Sequence, residues 1–240
     1  MTPTDALQGP HSSLVPDPHH PARMTAALAV GGIACLLAMM VMTLISGVSQ
    51  ETFEIVRAPD VYANGLAGHT GALRWLFGVD AAFLVLYSAV FVGFAHRIAT
   101  PSNRRFVIVG VIALLITALF DAIEDHHILA MLYGVEVGIR PSPGEIVFQH
   151  TLSQVKFNIS YIGLFFVGLS VPRTTVAGRV LALLLTVGTL VQCVWLYAAP
   201  VSLLPVGNVG RWVGFLIGFA LVIRLMRSRS GGAAATGVPA

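Results

Sequence analysis

Six apolar runs separated by short polar connections organise this chain: Thr25–Ile45, Trp75–Ala95, Phe106–Ile123, Phe157–Val171, Val180–Ala199 and Val209–Met226. Each is close to the ~20 apolar residues that a helix needs to cross a bilayer. Lipid offers no partner to backbone N–H and C=O groups, so each spanning run predicts a helix. The fold class that follows is an all-α integral membrane protein, a bundle of about six transmembrane helices. The stretch before the first run is rich in Pro, His and Ser, and the chain ends in SRSGGAAATGVPA. Residues 1–24 and 228–240 are therefore read as disordered cytoplasmic tails, and residues 25–227 as one six-helix membrane domain.

The fourth helix is expected to begin ahead of its apolar run. Ser142 stands as N-cap, Pro143 at the first helical position and Glu145 three residues after the cap. That is a capping box with proline at its favoured place. A helix from Pro143 to about Leu169 would be roughly 40 Å long at 1.5 Å per residue. The connection from Gln50 to Arg74 is long and carries apolar and aromatic residues, so it is expected to fold over the bundle.

Composition fits a membrane. Of the 240 residues, 56% are hydrophobic and 10% charged, against about 25% charged in soluble domains. The net charge of +3 comes from basic residues scattered between apolar runs, which argues against a nucleic-acid partner. Arginine makes up nearly all of that basic set, a bias expected of a GC-rich, bacterial genome. Cys35 and Cys193 both lie inside apolar runs and are read as free thiols.

Charge also predicts orientation. With the N-terminus cytoplasmic, Arg23, Arg97, Arg104, Arg105, Arg173, Arg179, Arg224, Arg227 and Arg229 lie inside. Arg57, Arg74, Arg140, Lys156 and Arg211 lie outside. The excess favours both termini in, an N-in/C-in topology in the plasma (inner) membrane of a bacterium. Trp75, Trp195 and Trp212 fall at outer helix ends, where the headgroup layer suits an indole.

One segment breaks the apolar pattern. In TALFDAIEDHHILA, residues 117–130, the third run is expected to end in Asp121, Glu124, Asp125, His126 and His127. At about 100° per residue the three acids share one face, with the two histidines flanking it. Acids are disfavoured at a helix C-terminus, which turns attention from mere solvation to a cation. Carboxylate and imidazole are good metal ligands, and Glu124-x-x-His127 has the spacing used in carboxylate-bridged metal bundles. The candidate metal ligands are Asp121, Glu124, His127 and His150, for a divalent ion. Glu124 and Asp125 are the candidate catalytic bases.

Asp80 is an intramembrane acid and hence a functional candidate, with an ion pair to Arg211 or Lys156 as the structural alternative. His150, Gln154, Asn158 and Tyr161 form one stripe on the fourth helix, expected to face inward. Tyr87, Gln192 and Tyr197 could join their network. Asp80, Gln154, Asn158 and Arg211 complete the expected pocket.

Asp121-x-x-x-Asp125 resembles the tail of the CDP-alcohol phosphotransferase motif, but that family's upstream DG…AR…G elements are absent. The gathered acids and histidines resemble alkaline ceramidase-like membrane hydrolases. Those draw histidines from a late helix, and the last two runs here contain none. A b-type haem would need paired histidines within the spans, and no P-loop or G-x-S-x-G elbow occurs. The reading is a multi-pass protein of the bilayer, a binding or accessory subunit of a membrane complex with a cation as its ligand. Two alternatives stand beside it: a metal-assisted hydrolase acting on a lipid or amphiphile, and a small-solute transporter.

Overall fold

A computed structural model describes residues 20–200 and 203–228. Eight α-helices follow one another: α1 (His20–Ser46), α2 (Pro59–Gly68), α3 (Thr70–Ile98), α4 (Arg104–Glu136), α5 (Pro143–Ser170), α6 (Val176–Leu183), α7 (Thr189–Ala198) and α8 (Leu204–Ser228). A 3₁₀ turn, Gln50–Phe53, precedes α2, and a π-helical segment, Leu184–Gly188, joins α6 to α7. No strand occurs among the described residues. Taking α6 to α7 as one unit, six helical units are long and apolar enough to cross a membrane. The expected tails lie outside the described residues except for their inner edges, since α1 already begins at His20 and α8 reaches Ser228.

The spanning units run up and down in chain order and close into a ring. α1 packs on α3, α3 on α4 and α4 on α5. α5 packs on the π segment and α7, and α8 returns to α1. The outward faces are strongly apolar: Leu44, Ile45, Val85, Ile112 and Leu119 are all exposed. Water would penalise that surface, whereas lipid suits it. Apolar residues therefore lie on both sides of each helix wall, and the few buried polar side chains, Glu124, Asp125, Gln149 and Lys156 among them, stand out against an apolar core.

α4 and α5 share the most extensive seam. Glycine makes it possible: a Cβ on Gly163 would come within 3.0 Å of the Gly110 carbonyl oxygen, and one on Gly110 would meet the Gly163 oxygen at the same distance. Small residues let helix backbones touch where lipid supplies no hydrophobic drive to association.

The capping box at the start of α5 forms. The Glu145 N–H donates to Ser142 Oγ at 3.2 Å, and the Ser142 N–H donates to a Glu145 carboxylate oxygen at 2.7 Å. Ser142→Ala is expected to cost about 1 kcal/mol, read as a lowered melting temperature in detergent.

One feature differs from the pattern-based expectation. α4 does not end at the acid cluster; it continues eleven residues beyond Asp125 to Glu136. It closes at Gly138, whose φ of +84° lets the Ile139 N–H reach back to the Gly134 oxygen. The acids are thus mid-helix, and the macrodipole at a C-terminus is irrelevant to them. The apolar count stopped early because MLYGVE mixes polarity while remaining a good helix.

The Gln50–Arg74 connection folds over the end of the bundle where the acids lie, as expected. Phe53 and Tyr62 meet edge to face, and the Tyr62 hydroxyl donates to the Phe53 carbonyl at 3.0 Å. Burial pushes the Tyr62 phenol above its ordinary pKa, which keeps it a donor. The Trp212 indole N–H donates to Glu51 at 2.7 Å, so this tryptophan ties the 3₁₀ turn to α8.

Candidate functional site

The folded-over connection, α3, α4, α5 and α8 bring five carboxyl groups into one buried region: Glu54, Asp80, Asp121, Glu124 and Asp125. Two cations face them, Lys156 and Arg211. Lys156 is the hub. Its ammonium lies 2.8 Å from Asp121 and 3.4 Å from Glu54, and it contacts Glu124 directly. It is 4% exposed, so these contacts operate away from water. Arg211 sits farther off, 3.9 Å from Glu54, with its guanidinium stacked 3.6 Å over the Phe157 ring.

Glu124 is completely buried. Besides Lys156, it accepts from the Gln149 amide at 3.0 Å and from the Ser153 hydroxyl. Gln149 also accepts at its own oxygen from His127 Nδ1, 2.7 Å away. This chain of donors runs from His127 through Gln149 to Glu124. His150 Nδ1 instead donates to the Glu54 carbonyl oxygen at 2.8 Å, so it pins the connection to α5. His126 is exposed and, among the described residues, bonds only its own helix at the Ala122 oxygen.

A second part of the cluster has no cation of its own. Asp80, Asp121 and Asp125 each offer a carboxylate oxygen, and these oxygens lie within 4.8 Å of one another. The Gln50 amide donates to Asp125 Oδ1 at 2.7 Å, while Asp125 Oδ2 is buried and receives no donor among the described residues; the Asp80 and Asp125 carboxyls lie within hydrogen-bond reach of each other. Among the described residues Asp80 makes no ion pair, so neither Arg211 nor Lys156 takes the role that the structural alternative assigned them. Asp121 belongs to both parts, bonding Lys156 on one side and facing the two aspartates on the other.

Of the four residues expected as metal ligands, Asp121 alone is among this oxygen trio. Glu124, His127 and His150 are engaged as described above. Asn158 donates to the Gln154 backbone oxygen at 2.8 Å and to the Tyr197 hydroxyl at 2.6 Å, which ties α5 to α7 away from the acids. Glu54, Gln50, Gln149 and Ser153 were not singled out by sequence pattern. Gln149, Ser153 and Lys156, spaced four and three apart, form a second polar stripe on α5, and that spacing was a usable signal.

Chemically, five carboxyls against two cations leave an excess of acid in a water-poor site. Such a group persists only with protons or a further cation among the oxygens. The donors of the aspartate trio are all oxygen, the ligand type of hard ions rather than of zinc or copper.

Comparison with known proteins finds no matching family model, no matching curated protein and no matching solved structure. What the fold and cluster define is a class: a multi-pass helical membrane protein with a buried group of aspartates.

Proposed function

We propose that this protein is a membrane binding protein that holds a hard cation between Asp80, Asp121 and Asp125. The observation that carries the reading is the convergence of three carboxylate oxygens within 4.8 Å, one aspartate keeping a buried oxygen without a donor. A cation there would offset the acid excess that Lys156 and Arg211 leave. Two observations favour binding over the other classes. A hydrolytic base should have a free oxygen open to substrate, whereas Glu124 is held by Gln149, Ser153 and Lys156, and Asp125 is buried with Gln50 on one oxygen. A transporter needs a polar path through the bundle, whereas the interior beyond Asp121 is lined by Phe91, Phe94, Leu114 and Val222.

We place both termini in the cytoplasm of a bacterial inner membrane, on the arginine distribution, with the cation site in the outer half. A role as a subunit of a larger membrane assembly fits a binding protein of this kind.

The test is a thermal melt of the detergent-purified protein titrated with calcium, magnesium, manganese and sodium chlorides, beside Asp80→Asn and Asp125→Asn. A cation at a hundred times its Kd should stabilise the native state by about 2.7 kcal/mol. At least one of the four is expected to raise the wild-type melting temperature, with the rise lost in both variants. Equal responses in wild type and variants, or none at all, would overturn the reading and leave the carboxyls neutralised by protons.

A further inference from the structure

The ring of helices is not filled at its centre. A cavity of about 220 Å³ runs inside α3, α4, α5, the π segment and α8. From the level of Phe83 to that of Phe94 on α3 it extends about 16 Å at 1.5 Å per residue. One end carries the charged groups, with Asp121, Lys156, Arg211 and Tyr87 in its wall; the rest is mostly apolar and aromatic, interrupted by Thr117, Ser160, Thr189 and Gln192. An apolar void of about 150 Å³ already suffices for a benzene ring. This one is larger and elongated.

Two polar groups at that end lack partners. The Tyr87 hydroxyl is buried, with the residue 4% exposed, and makes no hydrogen bond. Arg211 Nη1 is likewise buried and makes no hydrogen bond among the described residues, while the other side of the guanidinium is held by Asn208 and Phe157. Buried polar groups are nearly always satisfied, and an exception calls for a missing partner. Both groups can donate, so the partner must accept. The acids already outnumber the bases around it, so an anionic head would meet Asp121 and its neighbours at a disadvantage. The backbone of α8 makes the room: a Cβ on Gly214 would meet nothing within 4 Å, and one on Gly218 only a Leu184 methyl at 3.9 Å. The π segment contributes Leu184, Leu185 and Gly188 to the same wall, and such segments recur at functional sites.

We propose that this cavity binds one apolar chain ending in an uncharged carbonyl-type oxygen, the oxygen accepting from Tyr87 and Arg211 and the chain lying along α8. The cavity shares Asp121 with the aspartate trio at its polar end, but its chain-binding part lies beyond the trio and does not require a cation there.

The test uses the full chain in lipid nanodiscs and three probes of similar length: undecyl methyl ketone, dodecanoate and dodecane. Ligands that bind the native state raise its melting temperature. The ketone is expected to raise it in wild type. Gly214→Leu fills the cavity without a backbone clash, so it should fold and lose the response. Tyr87→Phe keeps the cavity but removes one donor, and should weaken the ketone's apparent affinity roughly 3–10-fold, the worth of one hydrogen bond. Dodecane should respond equally in wild type and Tyr87→Phe. A stronger response to dodecanoate would overturn the neutral head. Equal responses to ketone and dodecane would overturn head recognition. No response to any probe, or an undiminished ketone response in Gly214→Leu, would overturn the site. If Gly214→Leu does not fold, the Tyr87→Phe comparison decides alone.

Discussion

Lys156→Met should be the most damaging substitution at a polar position in this protein. The side chain is similar in length, but the ammonium that meets Glu54, Asp121 and Glu124 is gone. Removing one member of a buried ion pair strands its partner in a low-dielectric site, at a cost of about 3–5 kcal/mol. Here three carboxyls lose their shared cation at once, so the expected result is a sharp loss of folded protein in detergent, read by size-exclusion yield and thermal melt. Combining Lys156→Met with Glu124→Gln should recover part of the loss, because Gln149 and Ser153 remain to bond an uncharged amide. If the double variant is no better than the single one, the damage comes from packing and Lys156 is not the electrostatic hub.

The second large effect is expected at the α4–α5 seam. A Cβ on Gly163 would sit 2.7 Å from a Leu114 side-chain carbon and 3.0 Å from the Gly110 oxygen. Leucine can shift, but the opposing backbone can move only if the helices part. Overpacking typically costs 1–3 kcal/mol, so Gly163→Ala should lie in about that range and Gly163→Leu beyond it. The same seam carries the contacts of Glu124 with Gln149, Ser153 and Lys156, so parting the helices also breaks those. Gly78 on α3 is the control: a Cβ there meets nothing within 4 Å, and Gly78→Ala should be neutral or gain up to about 1 kcal/mol in helix propensity. Equal melting temperatures for Gly78→Ala and Gly163→Ala would remove the close-packing argument.

Both effects depend on features that are only half visible in the linear chain. The face shared by Asp121, Glu124 and Asp125 was legible from helical geometry, and Glu124 and Asp125 are indeed buried. Asp80 was legible as an acid in an apolar run, and it does join two of those acids. The histidines were less so. Imidazole suits metals in general, but His127 and His150 have their Nδ1 atoms engaged by Gln149 and by the Glu54 backbone. No spacing rule contains Glu54, which arrives from a connection about seventy residues before Glu124.

The long helix α5 shows the same limit. Its sequence holds two polar stripes, one through His150, Gln154 and Asn158 and another through Gln149, Ser153 and Lys156. In water the more polar stripe would face out. In lipid both are costly outside, so polarity alone does not choose between them. Tertiary packing decides: α4 takes the second stripe, because its acids need the ammonium and the amide, and α7 takes Asn158 through Tyr197.

Six apolar runs too long and too uncharged for a water-soluble surface were enough to determine a helical bundle that can cross a membrane, because lipid leaves the backbone no alternative. The capping box was equally local, since its two hydrogen bonds lie within four residues. The close α4–α5 approach, the partners of each acid and the central cavity belong to the tertiary structure. They arise from how curved apolar surfaces meet, which hydrophobicity does not encode when lipid and protein interior are equally apolar.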